Sequence, residues 1–425
     1  MSDTRFGNWY FGWNIVAAAT VLTLLTVGMR LGVGPFFLPM VHDLGFSRSL
    51  LSAIVAVGML CYGLAMPLAG YLVGKYSTRL VLLLGAVIVG VSVVWAVNTR
   101  DPLGFGFSFG VLMSIGLAFV SPVSLAPVIS RWFTRQRGMA LFFLSTGSMA
   151  GIAIMTPVMT HVIEASGWKV ALMGFALVFA AMTIPTALFF SSDKAPPNTD
   201  LLPDQISLQQ AATGPAAQSP PLRDAVRTTP FWKLIVGLFA CGYSMNLLGT
   251  HGLPMLMDHG FSATAGSLGL GLIGVIAILG TLVLGRVSDI LPRRKILAAI
   301  YGIRGLGFLA LVMVGAHWEL YTTAAIGGLV WAGSMAVSSA IMADVYGVRI
   351  LGVLYGFAYI AHQVGATISS WLGGWAYEAF GTHWISFGSA AVILLIASAV
   401  SLMLPDRGFS LMIPGLPPQP QPQGT

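Results

Sequence analysis

Apolar runs long enough to cross a lipid bilayer as helices follow one another along the whole chain. They fall at roughly 11–37, 49–73, 80–97, 104–130, 138–160, 168–190, 231–257, 264–284, 296–314, 320–342, 351–377 and 383–404, each near the ~20 residues that span the hydrocarbon at 1.5 Å per residue. In lipid every backbone N–H and C=O has to be satisfied within the chain, so runs of this kind form continuous helices. Only 8% of the 425 residues are charged, against about 25% in soluble domains. The sequence therefore predicts an all-α polytopic membrane protein with twelve transmembrane helices, numbered here 1 to 12 in chain order.

The net charge of +7 follows from topology and does not indicate nucleic-acid binding. With both termini in the cytoplasm, Arg48, Arg100 and Lys169 are the cations left outside, Arg30 and Arg304 lie within helices, and all other Lys and Arg fall inside. Such an asymmetry sets orientation through the positive-inside rule. Cys61 and Cys241 sit in apolar runs and read as small buried hydrophobes with no disulfide framework. The polar start and the long first apolar run argue against a cleaved signal peptide.

Gly285-Arg-Val-Ser-Asp-Ile-Leu-Pro-Arg-Arg-Lys295 concentrates an acid, a turn residue and four cations between two helices. A fainter copy, Gly70-Tyr-Leu-Val-Gly-Lys-Tyr-Ser-Thr-Arg79, lies 215 residues earlier, with Gly74 at the place of Asp289. A second pair has the same offset: Leu38-Pro-Met-Val-His-Asp-Leu-Gly-Phe-Ser47 and Leu253-Pro-Met-Leu-Met-Asp-His-Gly-Phe-Ser262. Two motifs repeating at one spacing predict two homologous six-helix halves. The basic loops resemble the signature of the major facilitator superfamily, which joins helices 2 and 3 and recurs between helices 8 and 9. That resemblance implies pseudo-symmetric halves, substrate bound between them near the midplane, and helices 1, 4, 7 and 10 lining the cavity. It also implies a cytoplasmic latch, resting here on Asp289 with Arg293 and Arg294, since Gly74 lacks the acid. A loop serving topology alone is the alternative.

Three further stretches resemble the monocarboxylate and oxalate/formate branch: Tyr10-Phe-Gly-Trp-Asn14 at the start of helix 1, Arg131-Trp-Phe-Thr-Arg-Gln-Arg-Gly-Met-Ala-Leu141 before helix 5, and Leu222-Arg-Asp-Ala-Val-Arg-Thr-Thr-Pro-Phe-Trp232 before helix 7. The last predicts a short amphipathic helix with an aromatic anchor. Helix 5 carries Gly147, Ser148, Gly151 and Pro157, a small-residue face suited to close helix packing. Characterised members of that branch carry a substrate-binding Arg on helix 8. Helix 8 here, Thr264 to Leu284, has no charge.

The candidate chemistry is a charge imbalance inside the bilayer. No Walker pattern, metal cluster or catalytic triad occurs in the sequence, which predicts neither cofactor nor enzyme activity and leaves gradients as the energy source. All 14 acidic residues fall in loops or at helix ends, whereas Arg30 and Arg304 do not. A charge at the bilayer centre costs about 2.5–3.5 kcal/mol on insertion scales and marks a functional candidate. Arg30 shares a face with Thr23 and Thr26, and its planar fork suits a carboxylate. The alternative is a structural Arg30 that snorkels outward or meets helix 7 carbonyls. Gly32, Gly34 and Pro35 are expected to weaken or kink helix 1 just beyond it. Arg304, on a peripheral helix, reads as structural, held by carbonyls or snorkelling.

Helix 11 carries Tyr355, Tyr359, His362, Gln363 and Ser370 along one face. His362 could donate to a carboxylate or carry a proton, or it is a neutral histidine satisfied locally. Tyr243, Asn246 and Thr250 share a face of helix 7, with His251 placed as a gate near its outer end. Trp331, Ser334 and Ser338 on helix 10, and Ser114 and Ser121 on helix 4, are small polar candidates that serve plain packing equally well.

The expected organisation is an N-terminal half at 1–190, a flexible cytoplasmic central loop at 191–230, a C-terminal half at 231–405 and a disordered tail at 406–425. The expected protein is a monomeric secondary transporter of the inner membrane that moves a small organic anion by alternating access, with a proton as partner. Substrate contacts are assigned to Arg30, Tyr243, Asn246, Trp331, Ser334, Tyr359, His362 and Gln363. Proton-antiport efflux of a drug or metabolite is the rival, favoured by the helix 5 glycines and disfavoured by the missing intramembrane acid.

Overall fold

In a computed structural model, described for residues 5–6, 9–133, 136–190, 222–346 and 348–405, every predicted span is helical. Helix 1 runs over Gly12–Leu31 and resumes as Gly34–Leu44. Helices 2 and 3 are Arg48–Lys75 and Thr78–Asn98. Helix 4 is assembled from Pro102–Phe105, a π-helical turn Gly106–Leu112, Met113–Phe119 and Pro122–Trp132. Helices 5 and 6 form one stretch, Arg137–Pro185, broken at Gly167, whose φ of 82° is left-handed. Helices 7 to 9 are Thr229–Asp258, Ala263–Ile290 and Arg293–Val312. Helix 10 is divided into His317–Leu329 and Gly333–Tyr346, and helices 11 and 12 are Val348–Phe380 and Trp384–Leu402. By length and composition 10 stretches among the described residues suffice to cross a membrane, and one of them, Met139–Phe189, is 51 residues long and turns back at Gly167. The protein is thus an all-α polytopic membrane protein. Among the described residues the one non-helical element is a two-residue antiparallel pairing of Arg5–Phe6 with Trp9–Tyr10 in the N-terminal lead.

The expected interruption of helix 1 is present. The helix stops at Leu31, and the N–H of Gly32 closes the last turn onto the Gly28 carbonyl. Both basic-loop copies are two-residue turns: Tyr76-Ser77 between helices 2 and 3, Leu291-Pro292 between helices 8 and 9. Ser77 accepts the Leu80 N–H and caps helix 3. The short helix before helix 7 covers Leu222–Ala225 only. The central loop at 191–221 and the tail from 406 onwards, where flexibility and disorder were expected, lie outside the described residues, as does the Asp289 side chain.

Two apolar cores fill the bundle. One lies within helices 1–6 and includes Leu22, Phe36, Phe105, Phe133 and Phe179; the other lies within helices 7–12 and includes Leu238, Tyr301, Ile341 and Phe387. They interlock, since Val27, Leu31, Met149 and Ile152 pack into the second core and Ala366 into the first. Large apolar side chains such as Leu64, Val87, Leu177 and Phe189 remain exposed, as a lipid-facing surface requires. The halves meet closely where glycine removes the side chain. A Cβ on Gly249 would stand 2.6 Å from the Leu31 carbonyl oxygen, so helix 7 lies directly on the break in helix 1.

The halves are tied together at the end opposite the termini. Arg48 at the start of helix 2 reaches Asp258 at the end of helix 7, and the Ser49 N–H donates to Glu378 of helix 11 at 2.8 Å. Thr264 donates to Glu164 at 3.2 Å. At the end bearing the termini, Arg293–Asp344 and Lys233–Met403 are pairs within the C-terminal half, and Thr228, just before helix 7, meets Tyr346 of the same half.

Candidate functional site

Arg30 sits in the last turn of helix 1, beside the Leu31 break, and only 8% of it is exposed. Its Nη1 donates to Gln363 Oε1 at 3.3 Å, and its guanidinium lies 4.7 Å from the Tyr62 ring centroid. Nε is buried with no partner. The side chain therefore does not snorkel; a neutral amide and an aromatic face hold a full charge. An arginine normally meets a carboxylate with two charge-assisted hydrogen bonds, and that position is unfilled by any acid among the described residues.

Gln363 belongs to the opposite half. Its Oε1 also accepts from His362 Nδ1 at 3.2 Å, so one amide oxygen joins Arg30 to the histidine. His362 is 1% exposed and stacks on Tyr359, with centroids 4.7 Å apart and planes 9° from parallel. His362 Nε2 and Gln363 Nε2 are both buried without a partner. Leaving a buried polar group unpaired costs about 1–3 kcal/mol, and three such atoms surround this junction. Gly63 makes room for it: a Cβ there would meet the Gln363 side chain at 2.7 Å. The polar face expected on helix 11 thus supplies Tyr359, His362 and Gln363 to one place. A cavity of about 30 Å³ adjoins Arg30, lined by Met29, Met59, Phe109 and Met113 among others. That is the scale of two or three water molecules, at about 10–15 Å³ each.

Asn246 is fully buried on helix 7, its Nδ2 donates to the Gly242 carbonyl, and its Oδ1 has no partner. Helices 7 and 11 cross at this level so closely that a Cβ on Gly242 would fall 1.8 Å from the His362 carbonyl oxygen. The other helix 7 and helix 10 candidates go elsewhere. The Tyr243 hydroxyl bonds Ser389 of helix 12 at 2.7 Å, inside the C-terminal half. Trp331 lies in the three-residue gap that divides helix 10, where its carbonyl accepts from Arg304 Nη2 and its ring lies 4.6 Å from the same guanidinium. Ser334 Oγ lies 3.2 Å from Cys241 Sγ, and that sulfur accepts from Arg304 Nη1 at 3.5 Å. Trp331 and Ser334 therefore belong to the surroundings of Arg304. Arg304 takes the carbonyl-bound form of its structural reading and is 1% exposed. Cys241 is a polar partner, more than the inert hydrophobe its apolar run suggested.

His251 is wedged at the tied end. Its Nε2 lies 2.7 Å from the Ser370 carbonyl and 3.5 Å from Ser52 Oγ, and its ring lies 5.0 Å from that of Phe37. Arg293 bonds Asp344, and Arg294 Nη1 donates to the Leu404 carbonyl at 3.3 Å. Both anchor helix 9 to its neighbours within the C-terminal half. Sequence reasoning missed the main tie between the halves. Arg48 Nη1 and Nη2 grip Asp258 at 2.6 and 3.0 Å, His383 Nε2 reaches the same carboxylate at 2.9 Å, and the Arg48 guanidinium lies 4.0 Å from the Tyr377 centroid. The available signals were Asp258, which stands in the repeated loop, and Arg48, one of few cations on its side.

A sequence model of the Major Facilitator Superfamily matches residues 16–316 and 252–418. The chain is 26% identical over 387 residues to an uncharacterised MFS-type transporter of Bacillus subtilis, covering 87% of this chain and 89% of that protein. It is 26% identical to human monocarboxylate transporter 11, covering 85% of this chain and 73% of the relative. It is 22% identical to the oxalate:formate antiporter of Oxalobacter formigenes, covering 93% and 92%. These relatives are transporters and not enzymes. Their similarity along the whole chain agrees with the twelve-helix bundle, and the protein is a multi-pass membrane transporter belonging to the Major Facilitator Superfamily.

Proposed function

We propose that this protein moves a small, monocarboxylate-like organic anion across the inner membrane by alternating access, with Arg30 as the group that binds the carboxylate. The observation that carries this reading is a guanidinium buried between the halves whose hydrogen-bond partner is a neutral amide. A carboxylate arriving there would replace one weak bond with a bidentate pair. It would also compete with Gln363 for Arg30 and so remove a contact between helix 1 and helix 11. A ligand shifts a conformational equilibrium only through contacts that differ between its states, and this exchange supplies such a difference. His362, sharing the Gln363 oxygen, is placed to respond when that amide is released, and either it or the substrate carries the coupled proton in a symport cycle. Both the monocarboxylate transporter and the oxalate:formate antiporter are named for carboxylates, which agrees with an anionic cargo.

On this reading the end bearing the termini is cytoplasmic, because the cations concentrate there, and the tied end faces outward. Asp289 with its neighbouring cations forms the cytoplasmic latch, and the C-terminal half follows a central loop at 191–230. The protein works as a monomer. The test is uptake of mono- and dicarboxylates into proteoliposomes. Arg30→Ala should abolish uptake while leaving insertion and thermal stability near those of the parent, and unchanged uptake would reject the site.

A further inference from the structure

The two outer corners of the molecule are copies of one another, and they differ at one informative position. Asp43 ends helix 1 and Asp258 ends helix 7, at the same place in the repeat. Each is followed by a left-handed glycine, Gly45 with φ 69° and Gly260 with φ 90°, and then by a serine that caps the next helix. Each aspartate accepts an N–H from the start of the last helix of its half, and these donors also lie 215 residues apart. Trp168 Nε1 donates to Asp43 at 3.0 Å, whereas His383 Nε2 donates to Asp258 at 2.9 Å. The N-terminal corner is held by an indole, which does not titrate. The C-terminal corner is held by an imidazole, which titrates near neutrality.

The hydrogen bonding fixes the state of that imidazole. Arg48 comes from the other half and grips Asp258 with both nitrogens, which keeps the carboxylate ionised, so His383 Nε2 carries the proton of their shared bond. His383 Nδ1 is buried and has no partner. A second proton there would be an unpaired buried donor and would place another cation beside Arg48 on the same oxygen, Asp258 Oδ2. The remaining groups around the ring give a second positive charge no relief. Tyr377 stacks on it at 4.5 Å, His259 lies 6.2 Å away, and His251 is close enough to interact electrostatically. Burial holds the His259 imidazole below its ordinary value. Glu378, next to Tyr377 in sequence, is engaged by the Ser49 N–H. In the closed corner a second proton on His383 would therefore share Asp258 with Arg48.

We propose that His383 is a proton-binding site whose affinity is set by the outer gate. When the halves part at this end, Arg48 leaves with the N-terminal half, while His383 and Asp258 stay together in the C-terminal half. Asp258 then lacks its guanidinium, outer water reaches Nδ1, and the imidazole takes up a proton from that side to become the cationic partner. The proton and Arg48 alternate as the charge opposite Asp258. Reclosing returns Arg48 and expels the proton. Linkage sets the direction: the open state binds the proton more tightly, so falling outer pH favours the open gate. This rests on the orientation and alternating access proposed above but not on Arg30 or the identity of the anion.

The test is a distance measurement in liposomes, without substrate, on the full chain with fluorescent amino acids at Leu103 and Trp318. These are exposed positions at the outer ends of helices 4 and 10, and labelling them leaves Cys61 and Cys241 untouched. In the parent, the open-to-closed ratio should rise as outer pH falls from about 8 to about 5, by up to about tenfold per unit for one proton. His383→Gln keeps an N–H donor to Asp258 but cannot titrate, and its ratio should stay constant within about twofold over that range. A parent ratio that ignores pH, or a His383→Gln protein that keeps the full response, overturns the proposal. Arg48→Gln provides an independent arm, because it removes the cation that competes with the proton for Asp258 and leaves only the burial of Nδ1 to distinguish the two states. Its response should be smaller than the parent's, and a full response there overturns the proposal equally. Arg30→Ala should retain the parent's pH response even if it loses uptake, which separates this site from the anion site.

Discussion

Two arginines lie inside the bilayer, and among the described residues neither meets a carboxylate, yet they are held in opposite ways. Arg304 stays within one half. It is bonded to the Trp331 carbonyl and to Cys241 Sγ and stacked on the Trp331 ring, so its surroundings move with it whatever the halves do. Arg30 spans both halves: its stem belongs to helix 1 and its hydrogen bond to helix 11. Each arginine has a buried Nε without a partner, but the bonds Arg304 does make stay within one half. A guanidinium whose partner belongs to the opposite half would, in the proposed cycle, be changed by what binds between the halves. The difference lies in whose atoms do the neutralising, since the residue type is the same and burial is nearly so, at 8% and 1% exposed.

The comparison can be broken most decisively at Arg30. Arg30→Lys keeps the charge but loses the fork, and anion affinity should fall about a hundredfold, the scale of one or two charge-assisted hydrogen bonds at ~1.5–3 kcal/mol each. A radiolabelled uptake assay that finds parental KM would remove the bidentate role. Gln363→Glu supplies the missing carboxylate from within the protein. It should weaken anion binding by about tenfold or more, a loss of ~1.4 kcal/mol or greater, because substrate must now displace an ion pair. Calorimetry showing tighter binding would overturn the competition between Gln363 and the anion. Arg304→Met replaces a desolvated charge with a flexible apolar chain. It leaves the Trp331 carbonyl without its donor, at a cost of about 1–3 kcal/mol, so the melting temperature should fall by a few degrees and affinity change by less than about threefold. Loss of binding with an intact melting curve would show that Arg304 also serves the substrate. The smallest effect is expected for Cys241→Ser, which keeps a polar atom toward Arg304 and Ser334, with affinity changed less than about twofold. A larger change would tie Cys241 to transport.

Much of the architecture was legible because its cause is local. Each apolar run has to become a helix when no water can satisfy its backbone. Gly32, Gly34 and Pro35 mark a break in helix 1 because a glycine pair and a proline cannot sustain its ladder. The repeat at one offset implied two halves, and both basic-loop copies are indeed two-residue turns. Arg30 was legible for the same kind of reason: a lone cation among apolar residues is conspicuous in one dimension. The polar face of helix 11 was also visible as spacing, and it places Tyr359, His362 and Gln363 at the Arg30 junction.

Partners were not legible, because a hydrogen bond across the bundle depends on which faces meet. Tyr243 shares a helical face with Asn246 by spacing, yet its long side chain leans to Ser389 on helix 12. Trp331 turns to Arg304, and Ser334 to Cys241 beside it, because a gap in helix 10 frees a carbonyl at that level, which no local signal announced. Arg48 and Asp258, far apart in sequence, meet only because helices 2 and 7 end at one corner. The sequence by itself determined a twelve-helix bundle in two related halves with uncompensated charge inside it, since lipid imposes those features residue by residue. Tertiary structure alone decided which arginine faces the opposite half and which aspartate ties the halves at the end opposite the termini, since both depend on side chains brought together from different helices.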